Sequence, residues 1–296
     1  MANVKIQGNA SGSGVLTITA PNTDATRTIT LPDSTGSIQT VDGESYSPRG
    51  LICSNDTDAA HDVAISVGGV KDATNTVNIT LAAILTKRID AAWAVGDNNG
   101  GLDGTESSGG TPDASTLYYV WLIKRSDTGV VDALYSESAT GPTLPTNYDY
   151  KRLIGAVMTD GSANILPFVH VNDYFRFVTP ITDVNDATMS NDAYETGTAS
   201  VPRLSLAHIY GVCEDATGTV SFMAISVRGV GDADVGSTAG SFAGVRTTAQ
   251  TEGAYSSGFM LVDASSQFEY AVSEAGGTVK ARVYTFGFTM LTRSNP

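Results

Sequence analysis

The chain has 296 residues, 41% of them hydrophobic and 16% charged, with 31 acidic against 17 basic side chains and a formal net charge of −14. A surface of that sign repels phosphate backbones, which excludes DNA and RNA as expected ligands. No stretch approaches the roughly 18 apolar residues of a membrane helix, and Met1 to Gly8 lack the apolar core of a secretion signal. The expectation is a chain made in the cytoplasm, without membrane insertion.

Gly, Ser, Thr, Asn and Asp fill the stretches between apolar runs, and β-branched residues crowd the runs themselves. This composition predicts an all-β fold, since Thr and Val suit a pleated surface and Gly, Asn and Asp supply turns. Residues 1–48 form a distinct module of short alternating runs, Val4-Lys5-Ile6, Val15 to Thr19, Arg27 to Leu31 and Ser37 to Val41, separated by Gly8 to Gly14, Pro21-Asn22 and Pro32-Asp33. Its apolar faces are too small for a self-sufficient core. Docking or trimerisation through Val15, Ile18, Ile29, Leu31 and Ile38 is therefore predicted.

Residues 49–180 read as a first β-sandwich domain. Val63 to Val67 and Val77 to Leu81 alternate as half-buried strands do, and Leu117 to Ile123 is apolar on both faces, as in a strand covered on each side. Asp127-Thr128-Gly129 predicts a hairpin turn into Val130 to Leu134. Leu81, Ile84, Leu85, Ile89 and Trp93 recur at helical spacing, which predicts one short helix near residues 81–93. Residues 181–200 are polar and aperiodic and read as a linker. Residues 201–296 then give a second β-sandwich or jelly-roll-like domain. In it Leu204, Leu206, His208, Tyr210 and Val212 share one strand face, Phe268, Tyr270 and Val272 another, and Val279 to Phe288 forms the last strand.

The search for chemistry finds no phosphate-binding Gly-Lys-Ser/Thr loop, HExxH helix, Gly-x-Ser-x-Gly elbow or Cys-x-x-Cys pair. His61 lies in a turn, and His170 and His208 interrupt apolar alternation, where hydrogen bonding in the core or between strands is the favoured fate. Asp97 to Asp103 begins like a calcium loop, but Gly101 and Leu102 stand where an oxygen ligand and a glycine are needed. Asn55, Asp56 and Asp58, and Asp232 with Asp234, could supply oxygen ligands together with a neighbouring chain, although turn aspartates of this kind are common. The balance predicts no metal and no cofactor. Cys53 and Cys213 sit in apolar runs and read as buried free thiols. Trp93 and Trp121 read as core, whereas Tyr148 and Tyr150 look exposed and are the candidate receptor contacts.

Two stretches carry a family resemblance. The segment Gly12 to Asn22, followed by Arg27 to Asp33 and Gly36-Ser37-Ile38, is similar to a module recurring in phage tail fibres. The runs Leu85 to Gly96, Tyr119 to Leu134 and Pro145 to Gly155 resemble a domain of tailed-bacteriophage virion structural proteins, found in tail-fibre and tail-associated chains. The resemblance spans most of residues 1–170, brings no catalytic residues, and implies a non-enzymatic part on the virion exterior. The first expectation is a homotrimeric tail fibre or tail-associated appendage for attachment, contacting other tail or capsid proteins and a host surface glycan. A capsid decoration or head-fibre protein is the alternative. The enzymatic rival is a tail polysaccharide depolymerase, whose carboxylate pair would meet only in the fold.

Overall fold

A computed structural model describes residues 48–104, 110–189, 193–216, 222–232, 254–275 and 278–291. Val15, Ile18, Ile29, Leu31 and Ile38, and with them the expected docking module, lie outside the described residues. Among the described residues the chain is all-β, with eighteen strands in four sheets and no helix.

The first ten strands are β1 (Arg49–Gly50), β2 (Cys53–Asn55), β3 (Asp62–Ile65), β4 (Gly68–Lys71), β5 (Asn78–Leu81), β6 (Leu85–Ala92), β7 (Asn99–Leu102), β8 (Leu117–Arg125), β9 (Val131–Ser136) and β10 (Tyr148–Met158). They build a seven-stranded sheet in the order β10-β8-β9-β7-β6-β3-β2 and a three-stranded sheet, β1-β4-β5. Strand β8 is buried along both faces from Tyr118 to Ile123, as its unbroken apolar run requires. Its hairpin with β9 closes with Arg125 N donating to Val130 O at 2.9 Å, and Gly129 takes a positive φ of 76° in the turn.

The helix expected near residues 81–93 is absent, and strand β6 occupies its place. Paired antiparallel to β3 and parallel to β7, β6 buries Leu85, Thr86, Lys87 and Ile89. A strand covered on both faces has no two-residue period, and its apolar residues can fall at helical spacing by coincidence. Ile84, which the helix would have buried, is 64% exposed.

The remaining strands are β11 (Phe168–Val171), β12 (Tyr174–Thr188), β13 (Glu195–Thr198), β14 (Leu206–Asp215), β15 (Phe222–Gly229), β16 (Ala254–Leu261), β17 (Gln267–Ala275) and β18 (Val279–Thr289). They form a five-stranded sheet, β11-β12-β18-β14-β16, and a three-stranded sheet, β13-β17-β15, all antiparallel. Their inner faces meet at Gly211, where a Cβ would lie 2.8 Å from Val227 and 3.1 Å from Ile225.

The segment read as a linker is sheet over much of its length. Ile181 to Thr188 pair with β18, and Glu195 to Thr198 form β13. Its polar residues have local partners: Asp183 accepts from the Ser200 backbone and hydroxyl and from the Thr285 hydroxyl. The passage from the first two sheets to the second two comes earlier, between β10 and β11. There is no break in the core at that point. A Cβ at Gly155 would lie 3.1 Å from the Phe175 ring and 3.2 Å from the Cys53 sulfur, and Asp42–Pro296 forms one compact unit.

Candidate functional site

Strand β14 alternates strictly. Ala207, Ile209, Gly211 and Cys213 point to the core, while Leu206, His208, Tyr210 and Val212 lie half-buried on the outer face of the five-stranded sheet. On its terminal neighbour β16, the register sets Phe259 opposite His208, Ser257 opposite Tyr210 and Tyr255 opposite Val212. On its other side, β18 sets Tyr284 opposite Tyr210. Because cross-strand neighbours share a face, three strands bring their aromatic residues together.

A β-bulge adds one more ring. Ile209 pairs with Thr285 but His208 pairs with Gly287, so Phe286 is an extra residue between the two pairs and turns outward beside His208. Glycine is required at position 287, since a Cβ there would stand 2.1 Å from the Phe175 backbone oxygen.

Seven rings now form one connected patch. His208 stacks on Phe259 with centroids 4.5 Å apart, and Phe286 lies 5.5 Å from His208 and 6.0 Å from Tyr210. Tyr210 faces Tyr255 at 6.0 Å and Tyr284 at 6.4 Å. Tyr174 of β12 meets Phe259 edge-on at 6.1 Å. Its hydroxyl lies 3.1 Å from His208 Nδ1. Burial, aided by the Arg176 charge, holds the imidazole below its ordinary pKa.

No described element covers this face. Phe259 is 45% and Tyr255 47% exposed, and Leu261, Val169, Val171 and Val178 extend the apolar surface along the same sheet. Apolar surface exposed in this way commonly serves contact, and the exposed Arg176 stands beside Val169 on the same face. At the β16 side the patch runs into a hollow of about 310 Å³ lined by Phe259, Leu261, Leu204, Val230, Asp232 and Asp263. Asp232 Oδ2 accepts from Gly229 N, and Asp263 Oδ1 accepts from Ser265 N and Gln267 N. The other oxygen of each carboxylate has no hydrogen-bond partner among the described residues.

The residues singled out in the sequence fall elsewhere. Tyr148 is not exposed: at 3% it is buried, meeting Trp93 edge-on at 5.3 Å with the Arg125 guanidinium 5.8 Å from its ring centre. It pairs with Arg125 ahead of a register shift, which turns the ring inward. Tyr150 is half-buried, and neither tyrosine joins the aromatic patch. Trp121 is core, and Trp93 is partly buried with its Nε1 donating to Ala133 O at 3.0 Å. Cys53 and Cys213 are buried free thiols.

His61 is a half-buried turn residue 2.9 Å from the Asp58 carboxylate. His170 is core, accepting from Cys53 N at Nδ1, donating from Nε2 to Asn172 O, and stacking on Phe175 at 3.8 Å. Asn55, Asp56 and Asp58 serve their own loop and its neighbours: Asn55 Oδ1 accepts from Phe168 N, Asp56 from the Thr86 hydroxyl, and Asp58 from Ala60 N. Asp234 lies outside the described residues. Among the described residues no three His, Cys, Asp or Glu side chains converge as metal ligands.

One buried ion pair stands apart from the patch. Lys87 Nζ lies 3.2 Å from Asp132 Oδ1, each side chain 1% exposed, and also donates to Ala94 O at 2.7 Å and Gly96 O at 3.2 Å. Asp132 further accepts from Gly96 N and Ala133 N. All three ammonium donors are satisfied, and the pair holds the turn after β6.

No protein-family model matches the sequence, and no curated protein matches it.

Proposed function

We propose that this chain is a non-enzymatic structural protein on the exterior of a tailed-bacteriophage particle, a trimeric tail fibre or tail-associated appendage that attaches through its outer aromatic face. The observation that carries the reading is that face: seven connected rings on an antiparallel sheet, with no described element over them. An adhesive part needs such a surface held rigid in advance, because ordering it on contact would subtract from the affinity.

The segments that carry the virion-protein resemblance act as scaffold. Leu85 to Gly96 supplies β6 and the turn held by Lys87, Tyr119 to Leu134 supplies the β8–β9 hairpin, and Pro145 to Gly155 enters β10. Lys87 pairs with Asp132, Trp93 Nε1 donates to Ala133 O and Gly96 N donates to Asp132, contacts that tie the first two segments together. An attachment role therefore falls to the later strands.

Quantitative mass spectrometry of purified particles tests the proposal. A tail appendage predicts on the order of tens of copies per particle, in a multiple of three. Hundreds of copies would move the chain to the capsid as a decoration protein, and its absence from the particle would overturn the reading.

A further inference from the structure

We propose that copies of this chain join head to tail, the β11–β12 edge of the five-stranded sheet in one copy seating in the hollow beside β16 of the next. The contact is independent of the attachment role, which uses the rings between those two edges. Strand β11 ends the sheet on one side and β16 on the other. On the β11 side, Arg176 of β12 is exposed and makes no ion pair among the described residues. It pairs with Val169, and alternation puts Val171 and Val178 on the same face. All three valines are exposed, so this edge is an apolar strip with one cation set in it.

The β16 side is its complement. Leu204, Val230 and Leu261 are exposed around the hollow of about 310 Å³, and Asp232 and Asp263 each keep one carboxylate oxygen without a hydrogen-bond partner among the described residues. Arg203, next to Leu204 in sequence, has its charge acting on the Tyr119 hydroxyl of β8. An arginine suits such a recess, because its alkyl stem packs on apolar walls while the planar guanidinium meets carboxylates. Arg176 cannot fill the hollow of its own chain. Three strand spacings of about 4.8 Å, or about 14 Å, separate β12 from β16.

Charge selects the way two copies meet. Each carries a net charge of −14, so copies repel unless a contact brings unlike patches together. The two edges do this, since one presents a cation and the other two carboxylates, each among exposed aliphatic side chains. Arginine is also among the residues enriched where proteins meet. Because the two surfaces differ, the contact is heterologous, and repeating it closes a ring or extends a filament.

Sedimentation velocity of the full chain over a range of concentrations tests the contact. The mass of the wild type should rise with concentration, and less so at high salt, which screens the charge pairing. Arg176→Glu or Asp232→Lys should weaken association about tenfold, and Arg176→Glu/Asp232→Lys, which exchanges the two charges, should recover it. Asp232 also holds the turn at Gly229, so Asp232→Lys is read beside Leu261→Ser, which removes apolar wall and spares that turn. Leu261→Ser should weaken association as well, and Tyr210→Ala, between the edges, should leave it unchanged. Circular dichroism checks that each variant is folded. A monomer at every concentration, or association unchanged by both Arg176→Glu and Leu261→Ser, overturns the contact. So does a folded charge-exchanged variant that stays dissociated, or dissociation by Tyr210→Ala, because the middle of the face would then join copies. Particles that carry a chain whose edges do not associate would sink the contact alone. Association by a chain that no particle carries would uphold the contact and sink the virion role.

Discussion

Gly287 lies so close to Phe175 that a Cβ on it would stand 2.1 Å from the Phe175 carbonyl oxygen. The contact sits at the bulge that turns Phe286 outward to His208. Backbone cannot yield as a flexible side chain does, so Gly287→Ala should force β18 away from β12. Overpacking of this kind costs about 1–3 kcal/mol. Chemical denaturation should show that loss, and NMR should show the Phe286 and His208 ring signals shifting together. A neutral substitution would mean that the bulge does not depend on this approach.

The Lys87–Asp132 pair is buried and satisfied, with its Nζ also 5.6 Å from the centre of the Trp93 ring. Removing one partner strands the other charge away from water, which costs about 3–5 kcal/mol. Lys87→Met should therefore lower the unfolding free energy by an amount in that range, whereas Lys87→Met/Asp132→Leu should cost less than the two single changes summed. Additive losses would show that the two groups are not coupled.

Stability should fall at alkaline pH through Tyr270. Burial, together with the charge of Glu195, pushes its phenol up to about 12 from an ordinary 10, and its hydroxyl donates to Glu195 Oε2 at 3.1 Å. Between pH 10 and 12 the unfolded chain has lost a proton that the folded chain keeps, so this contribution is complete below about 10 and declines as the pH rises through the window. Tyr270→Phe should flatten that part of the stability profile. At pH 7 it should cost about 1 kcal/mol for the lost hydrogen bond. Identical alkaline slopes in the two proteins would contradict the assignment.

Cys53 and Cys213 are 1% and 0% exposed. An aqueous thiol reagent should modify neither in the folded chain and both after denaturation. Rapid reaction of either thiol under native conditions would show that its part of the core opens.

Much of the β architecture is legible in the residues. The both-face apolar run at Leu117 to Ile123 gives β8, and Asp127-Thr128-Gly129 gives its hairpin, because burial and turn chemistry are local. The failures have physical causes. Leu85 to Lys87 loses its two-residue period to burial on both sides. Ile181 to Thr188 looked like a linker because its polar residues have partners supplied by distant segments, such as Thr285 for Asp183. Tyr148 looked exposed among polar neighbours but turns inward against Trp93.

The aromatic patch was half legible. The shared face of Leu206, His208, Tyr210 and Val212 follows from alternation, but alternation alone does not say which face is inner. The last strand holds the missing signal: Lys280 and Arg282 lie in phase with Tyr284 and Phe286, and two cations mark that phase as outward. The joining of Tyr174, Tyr255 and Phe259 to it depends on strand order, which no local pattern encodes.

The most direct test of the account is the adsorption rate of particles carrying the Tyr210→Ala/Phe286→Ala chain. The account predicts normal particle yield and normal copies of the chain, with adsorption to host cells clearly slower than for wild-type particles. Adsorption at the wild-type rate, with the altered chain fully incorporated, would contradict it.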